Sequence, residues 1–268
     1  EKPTGEITAG AGVSSDGTSL GFSIKENNYA GKGIRLVSSL DLSADSVKGQ
    51  FSVTNPNFNY TDKALTFSVQ SIVTDRLTKN GYKSSKTGFS FGTSFEQFED
   101  FYISPNISSY VEKLTTNSSA IASLKKQEGN YFDTNIGYSI TYDKRDRRWR
   151  TSEGFVSSFI QNLPIYADDL SVLNGYEFSK YNNWGDDLIT KISFYTRAVN
   201  SLDDSKDVRI SERVRLPRDK LKGFEPGKVG PKDGSDYVGG NYAASLNFTT
   251  NLPMILPSVK TAAFAFFI

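Results

Sequence analysis

The sequence contains no cysteine and no histidine, and these two absences exclude several kinds of chemistry. Without cysteine the chain has no disulfide framework, no thiolate nucleophile and no cysteine-type metal site. Without histidine it has no Ser-His catalytic triad, no histidine acid–base catalyst and no ordinary zinc site. The commonest catalytic and metal-binding groups are therefore missing.

The chain also lacks an excess of either charge and a long apolar run. Its 31 basic and 30 acidic residues leave a net charge of +1, so no global field attracts nucleic acid, and we expect no nucleic-acid partner. No stretch approaches the roughly 18 to 20 consecutive apolar residues of a membrane helix, and residues 1–5 do not resemble a signal peptide. Membrane spanning by strands stays open, because a strand needs only about 9 to 11 residues with every second one apolar.

Aromatic residues are abundant and follow an alternating pattern. They make up 13% of the chain, whereas hydrophobic residues reach only 37%, which is thin for a large buried core. Ile136, Tyr138, Ile140 and Tyr142 alternate with small polar residues, as in a strand with one apolar face. This composition and period indicate an all-β protein. We predict strands at 5–14, 17–28, 33–42, 46–56, 64–75, 84–95, 98–108, 131–143, 154–163, 171–182, 187–200 and 240–250, with a thirteenth opening near 258.

Two architectures suit strands with one apolar face. In a soluble β-sandwich the apolar face packs against a second sheet, whereas in an outer-membrane barrel it faces lipid. Periodicity alone does not choose between them. The polar face, rich in Gly, Ser, Thr, Asn, Lys and Arg, and the strand lengths of roughly 9 to 13 residues favour the transmembrane antiparallel barrel. Because such barrels are closed and usually even-stranded, a chain that stops inside a strand at Ile268 is expected to be part of a larger barrel.

Connection lengths alternate along the predicted strands. Connections after odd strands are long, as at 74–83, 109–130 and 201–239, while most after even strands are brief. The charged turn at 144–153 is the exception. Since external loops of outer-membrane barrels are the long ones, residues 201–239 are predicted to form an extracellular loop.

Glycines divide this long loop. A phosphate-binding loop is disfavoured, because no strand leads directly into the glycine series and no helix follows it. Gly223, Gly227 and Gly230 instead allow the loop to fold back, and Pro226 and Pro231 stiffen it. We predict that the loop enters a polar lumen, where its backbone finds hydrogen-bond partners.

Three other segments suggest chemistry only weakly. Residues 143–150 combine arginines with Trp149, but their alternating signs favour a polar turn with Trp149 at the membrane interface, and a partner-docking surface is the other interpretation. Residues 110–126 suggest a short loop helix. Several acidic groups lack the spacing of a calcium loop and are interpreted as turn residues, so we expect no metal site. These groups are Glu96, Glu99 and Asp100, then Asp168 and Asp169, then Asp186 and Asp187.

The motifs of the long loop resemble those of the BamA-type outer-membrane protein assembly factors, including the related TamA-like barrels. Leu221-Lys222-Gly223-Phe224 is similar to the family's Val/Leu-Arg-Gly-Phe/Tyr tetrad in its sixth external loop, and Gly239-Gly240-Asn241-Tyr242 continues the likeness. The resemblance covers essentially the whole chain. It implies that residues 1–268 are about thirteen of sixteen barrel strands, without the periplasmic POTRA domains and the last strands.

The resemblance also implies a function and partners. The family's barrel is not an enzyme and uses no cofactor; it assembles and inserts β-barrel proteins into the bacterial outer membrane. The implied partners are unfolded outer-membrane protein clients, outer-membrane lipids and accessory lipoproteins. A passive channel, or a protein-translocating barrel plugged by the long loop, is the alternative.

The first strand is the expected gate of such a barrel. Its weakly held edge would template an incoming client strand, and glycines lower strand stability. Ordinary turn-proximal glycines are the other interpretation. The gate residues are Gly5, Ile7, Ala9, Gly10 and Gly12.

The tetrad departs from the family at its cation. Lys222 stands where the family has Arg, and it lacks the planar fork that binds carboxylates bidentately. Asn247 stands where the family often has Glu, so it is the expected partner of the loop. We therefore predict a looser lumenal tether, and a Lys222→Glu variant is expected to impair assembly.

Overall fold

Alternating apolar and small polar residues form antiparallel strands along almost the whole chain. The computed structural model describes residues 4–14, 17–78, 80–185, 188–225, 227–234, 236–251 and 265–267. The strands are β1 (Gly5–Ser14), β2 (Gly17–Tyr29), β3 (Ile34–Ser43), β4 (Ser46–Asn55), β5 (Ala64–Arg76), β6 (Tyr82–Phe98), β7 (Phe101–Thr116), β8 (Gly129–Asp143), β9 (Gly154–Ala167), β10 (Ser171–Asn183), β11 (Ile189–Ser201), β12 (Lys232–Asp233), β13 (Asp236–Tyr237), β14 (Tyr242–Asn251) and β15 (Ala265–Phe267).

Thirteen strands form one sheet in chain order, from β1 to β11 and then β14 and β15. All neighbouring strands in this sheet are antiparallel. The short strands β12 and β13 pair only with each other and belong to the segment between β11 and β14. The predicted all-β barrel with about thirteen strands is confirmed.

The predicted strand boundaries agree closely with the observed ones, with two differences. Strands β6, β7 and β9 are longer than predicted, and residues 110–116 continue β7 instead of forming a helix. The predicted loop helix is reduced to the single turn α1 (Ala122–Lys125), and a 3₁₀ turn covers Phe58–Tyr60. The predicted opening of a strand near 258 lies outside the described residues.

The sheet exposes apolar side chains on its outer face and buries polar side chains on its inner face, which is the reverse of the arrangement in a soluble protein. The buried polar side chains include Glu112, Asp133 and Arg209, whereas many large apolar side chains are exposed. An apolar outer face around a polar inner face is the arrangement of a membrane barrel. Exposed outer-face side chains include Phe22, Phe51, Phe67, Phe89, Ile107, Ile136, Leu163, Ile192 and Phe248.

Among the described residues, two small clusters of buried apolar side chains lie beneath the segment that follows β11. The first contains Leu114, Leu124 and Ile210, with Tyr131 packed against it. The second joins Val199 of β11 to residues of that segment. The apolar packing inside the sheet therefore serves to hold this segment against the strands.

No helix among the described residues is both long enough and apolar enough to cross a membrane.

Candidate functional site

The segment between β11 and β14, residues 202–241, reaches deep along the polar face of the sheet. Its Lys220 contacts Glu177, the seventh of the 13 residues of β10. It also lies over the ring of Tyr195, the seventh of the 13 residues of β11, with Nζ 5.5 Å from the ring centroid. The segment thus enters from the end of β11 and extends to the middle of the strands. We call it the inserted loop.

Lys220 is held by a network of polar contacts. Its Nζ donates to Glu177 Oε2 at 2.8 Å, and Arg197 Nη2 donates to the other oxygen, Glu177 Oε1, at 2.7 Å. The Asn247 side-chain amide donates to the backbone carbonyl of Lys220 at 2.8 Å. Both the side-chain ammonium and the backbone carbonyl of Lys220 are therefore bound to residues of the strands.

The electrostatics of this contact favour a charged lysine. Partial burial acts to lower the pKa of Lys220, but the hydrogen bond and the attraction from Glu177 outweigh it and raise the pKa above the ordinary value. Arg197 lies 4.8 Å from the centroid of the Tyr195 ring, so the same aromatic ring faces two cations. A Cβ on Gly175 would come within 2.4 Å of Arg197 Nη1, so this glycine makes room for the guanidinium.

The predicted tetrad lies directly after Lys220. Gly223 has φ +80°, a left-handed conformation that glycine adopts readily, and the chain turns there. Lys222 is exposed and Phe224 is 61% exposed, while Leu221 is half-buried. Among the predicted site residues, Asn247 contacts the loop at Lys220 and not at the Lys222 side chain. Pro226 lies outside the described residues.

A second contact holds the inserted loop near the end of the strands. Arg209 Nη2 lies 2.5 Å from Asp133 Oδ2 of β8 and 2.7 Å from Glu212 Oε1. Its guanidinium also stacks over Tyr131, 4.3 Å from the ring centroid. Burial acts to lower the pKa of Arg209, but Glu212 and Asp133 outweigh it and raise the pKa. The charge is therefore retained in a buried position.

Further hydrogen bonds join the inserted loop to the sheet and its connections. Ser211 Oγ donates to Glu112 Oε2 at 3.0 Å, and the backbone N–H of Ile210 donates to Gln127 Oε1 at 2.9 Å. Ser123 of α1 donates to Asp233, and the Asn80 amide donates to Asp236 at 2.8 Å. The loop thus crosses from β11 to the ends of β5 to β8. The residues that bind the loop here are Asn80, which follows β5, Glu112 in β7, and Ser123 and Gln127, which lie between β7 and β8.

Sequence reasoning missed Lys220, Arg209 and their acidic partners. The motif drew attention to Lys222, two residues away, and nothing local distinguishes Lys220 from it. For Glu177 and Asp133 the sequence did contain one indication of a role. Each is a carboxylate on the polar face of a predicted strand, and a carboxylate that is buried there requires a cationic partner.

The charged turn 144–153 is stabilised by its own side chains. Asp146 accepts from Ser152 Oγ at 2.5 Å and from the Ser152 N–H at 3.0 Å. The Ser152 hydroxyl, followed by the backbone N–H groups, lowers the pKa of Asp146 to about 2. Arg145 binds Asp143 through two bonds of 2.7 Å, and Trp149 is exposed. The polar-turn interpretation accounts for these contacts.

The predicted gate residues lie along β1, which pairs with β2 in unbroken register from Gly5 to Ser14. No described residue pairs with the opposite edge of β1. Ile7 is 83% exposed. Gly10 pairs with Gly21 of β2, so no side chain covers the sheet at that pair. Ala9 and Gly12 are exposed as well.

The described residues contain no cluster of acidic side chains that could hold a metal ion. Asp186 and Asp187 lie outside the described residues.

Comparisons with known proteins agree with this architecture. BamA from Haemophilus ducreyi lacking POTRA domains 1–3 matches with a TM-score of 0.83 at 21% identity, over 97% of this chain and 55% of that one. CdiB from Acinetobacter baumannii matches with a TM-score of 0.57 at 12% identity, over 94% of this chain and 46% of that one. The chain thus spans about half the length of these solved structures. No curated protein matches it in sequence.

The resemblance to BamA-type barrels is confirmed at the level of fold. The Omp85 superfamily domain matches residues 28–267, which is most of the sheet and all of the inserted loop. On this match, the chain belongs to the Omp85 superfamily.

Proposed function

We propose that this chain is the barrel of an outer-membrane protein assembly factor, which inserts unfolded β-barrel proteins into the bacterial outer membrane. The observation that carries the proposal is the edge of β1. This strand has a hydrogen-bonded neighbour on one side only among the described residues, and its described side chains are exposed. Such an edge offers a row of N–H and C=O groups to an incoming strand.

The composition of β1 supports weak closure at this edge. Gly5, Gly10 and Gly12 remove side chains that would pack across a seam, and cross-strand side-chain pairs contribute roughly 0.2 to 1 kcal/mol each. The pair of Gly10 and Gly21 removes both partners at one position. A strand that is held mainly by backbone hydrogen bonds exchanges partners more readily than one that is also held by side-chain packing.

The inserted loop supports the same proposal. In our proposal it begins on the extracellular side and folds into the barrel lumen, where Lys220 contacts Glu177 and Arg209 contacts Asp133. Through these two contacts it would stabilise β8 and β10 while the β1 edge separates from its partner strand. The full-length protein would then add upstream POTRA domains and the last strands, and clients, lipids and accessory lipoproteins are its proposed partners.

Depletion of the full-length protein tests the function. We expect the levels of folded outer-membrane proteins to fall before cell growth stops. Unchanged levels would remove the assembly function and favour a plugged channel, in which deletion of the inserted loop raises ion conductance instead.

Cross-linking tests the role of the β1 edge. Because residues 1–268 contain no cysteine, an Ile7→Cys variant carries a single thiol in this region. We expect it to form a disulfide with a cysteine in the terminal strand of a client arrested during assembly. Val69→Cys on the interior strand β5 is the matched control, since Val69 is also an exposed apolar residue. Equal yields from both variants would exclude pairing at β1.

A further inference from the structure

Three polar side chains form a continuous chain on the apolar face of β8, β9 and β10. Tyr138 Oη donates to Gln161 Oε1 at 2.6 Å, and Gln161 Nε2 donates to Asn174 Oδ1 at 2.6 Å. They are direct cross-strand partners, since Tyr138 pairs with Gln161 and Gln161 with Asn174. We call these three residues the amide chain.

The strand period places the amide chain on the outer face. Ile136 and Leu163, each two residues from a member of the chain, are exposed apolar side chains of that face. Ser157 and Tyr176, further along the same face, form a hydroxyl pair at 3.0 Å. The outer face of β8 to β10 therefore carries a linked series of polar side chains among its apolar residues.

Aromatic pairs at both ends of these strands fix the depth of the amide chain. The rings of Phe132 and Tyr166 pack together at one end with centroids 5.8 Å apart, and those of Tyr142 and Phe155 at the other with centroids 5.5 Å apart. Aromatic girdles flank the apolar band of a membrane barrel. Gln161 lies about midway between Phe155 and Tyr166 on β9.

The distance between these girdles matches a bilayer. At about 3.3 Å per residue and a tilt of about 40°, the separation of Phe155 and Tyr166 along β9 corresponds to about 28 Å. The apolar band of such barrels is about 25 Å tall. The Gln161 amide is therefore at the middle of the membrane.

Hydrogen-bond donors remain unused at this depth. Within the described part of the chain, the Asn174 amide nitrogen donates to no acceptor, and Gln161 uses one of its two N–H groups. Lipid tails offer no acceptor, and polar groups inside membranes usually face other protein surfaces. Side-chain amides in particular hold transmembrane segments together.

We propose that the outer face of β8, β9 and β10 docks a second copy of this chain inside the membrane. Two copies inserted in the same direction are related by a twofold axis along the membrane normal, which places identical residues opposite each other at equal depth. The Gln161 amide has both donors and an acceptor, so it is complementary to itself. This face is also remote from β1 in the strand order, so the dimer leaves the β1 edge accessible.

The proposal requires only that the barrel spans the membrane, and it is independent of the assembly function. Leu163→Cys in the full-length protein places a single thiol in this region beside Gln161 without removing the amide. With a short thiol cross-linker in native membranes, we expect a homodimer. Val69→Cys, on the outer face of β5, is the control and should give at most about a tenth of that yield if contacts are specific.

A second substitution tests the amide itself. Gln161→Leu in the Leu163→Cys background preserves an apolar outer surface and should lower the dimer yield by about threefold to tenfold. Native mass spectrometry of unlabelled wild-type and Gln161→Leu protein in lipid discs measures the same loss without cysteine. Equal cross-linking of Leu163→Cys and Val69→Cys, an unchanged dimer fraction in Gln161→Leu, or capture of a different protein at Leu163→Cys would each overturn the proposal.

Discussion

Arg209 of the inserted loop lies against Asp133 of β8, with Nη2 2.5 Å from Oδ2, and both side chains are only 2% exposed. Two buried opposite charges tolerate the loss of a partner poorly, because the remaining charge is left desolvated. This pair therefore holds the inserted loop only while both members are present. Its position at the end of the strands separates it from the Lys220 contact in their middle.

Replacing Arg209 should destabilise the protein strongly. We expect Arg209→Met to lower the free energy of unfolding by about 3 to 5 kcal/mol, because Asp133 loses its buried cation. Denaturant titration of the barrel in detergent, followed by the mobility shift between folded and unfolded forms, measures the loss. The double variant Arg209→Met/Asp133→Asn should recover part of it.

Lys228→Met provides the matched control for Arg209. Lys228 forms an exposed ion pair with Glu225 in the same loop, and such pairs contribute about 0 to 1 kcal/mol. If Arg209→Met destabilised the protein no more than Lys228→Met, the buried pair would have no structural role.

The two neighbouring lysines of the inserted loop should differ in effect. Lys220→Met removes a charge-assisted hydrogen bond to Glu177, and a loss of about 1 to 2 kcal/mol is expected. Chymotrypsin cleavage near Phe224 should then accelerate by about fivefold to thirtyfold, since 1.4 kcal/mol corresponds to a factor of ten. Exposed Lys222 should matter less, and Lys222→Met should stay within about twofold of wild type. The reverse order would assign the tether to the tetrad instead.

Adding a side chain to β1 should slow client insertion without disturbing the fold. An added Cβ at Gly10 meets no atom within 4 Å, so Gly10→Val is sterically tolerated. Valine raises strand propensity, on a scale that spans about 1 kcal/mol, and stiffens the edge. Insertion of a labelled client into vesicles should fall by about twofold to fivefold, within the tenfold that 1.4 kcal/mol represents.

Gly49 of β4 offers the comparison for Gly10. Its added Cβ also meets nothing within 4 Å, but β4 has hydrogen-bonded neighbours on both sides. Gly49→Val should therefore leave insertion unchanged. A similar loss in both variants would show that strand stiffness in general, and not the β1 edge, limits insertion.

The charged turn should resist acid. The folded pKa of Asp146, about 2, lies below its ordinary value of 3.8, so the carboxylate stabilises the turn above that ordinary value, and the stabilisation is lost as the pH falls through about 2. In Ser152→Ala the largest cause of the shift is removed, and the pKa should rise toward 3.8. Carbon-detected NMR titration of the carboxyl group reports both values. An unchanged pKa in Ser152→Ala would assign the shift to the backbone N–H groups alone.

Strand positions could be predicted from the sequence because period two is a local property. The alternation around Tyr138 and Tyr142 defines β8, and its observed bounds differ from the prediction by two residues at one end. The extension of β7 through residues 110–116 was missed, because its mixture of apolar and polar residues also fits a helical period. Pairing with β6 and β8 decides that segment in favour of the strand.

The candidate site was predicted only in part. The inserted loop and Asn247 were identified, because glycine spacing and motif likeness are visible in the chain. Lys220, Glu177 and Arg209 were not, because each becomes a site residue only through a partner far away in sequence. The amide chain was missed for the same reason, since Tyr138, Gln161 and Asn174 belong to three different strands.

The sequence by itself determined the all-β class, the order of the strands, their two faces and the position of the long loop between β11 and β14. These follow from local periodicity, from turn residues and from the tendency of consecutive strands to pair. Only the tertiary structure decided that Lys220 and not Lys222 meets Glu177, and that Arg209 is buried against Asp133. The physical reason is that ion pairing depends on which charges the fold brings within about 4 Å, and two lysines two residues apart are equivalent until the loop has a fixed position on the wall.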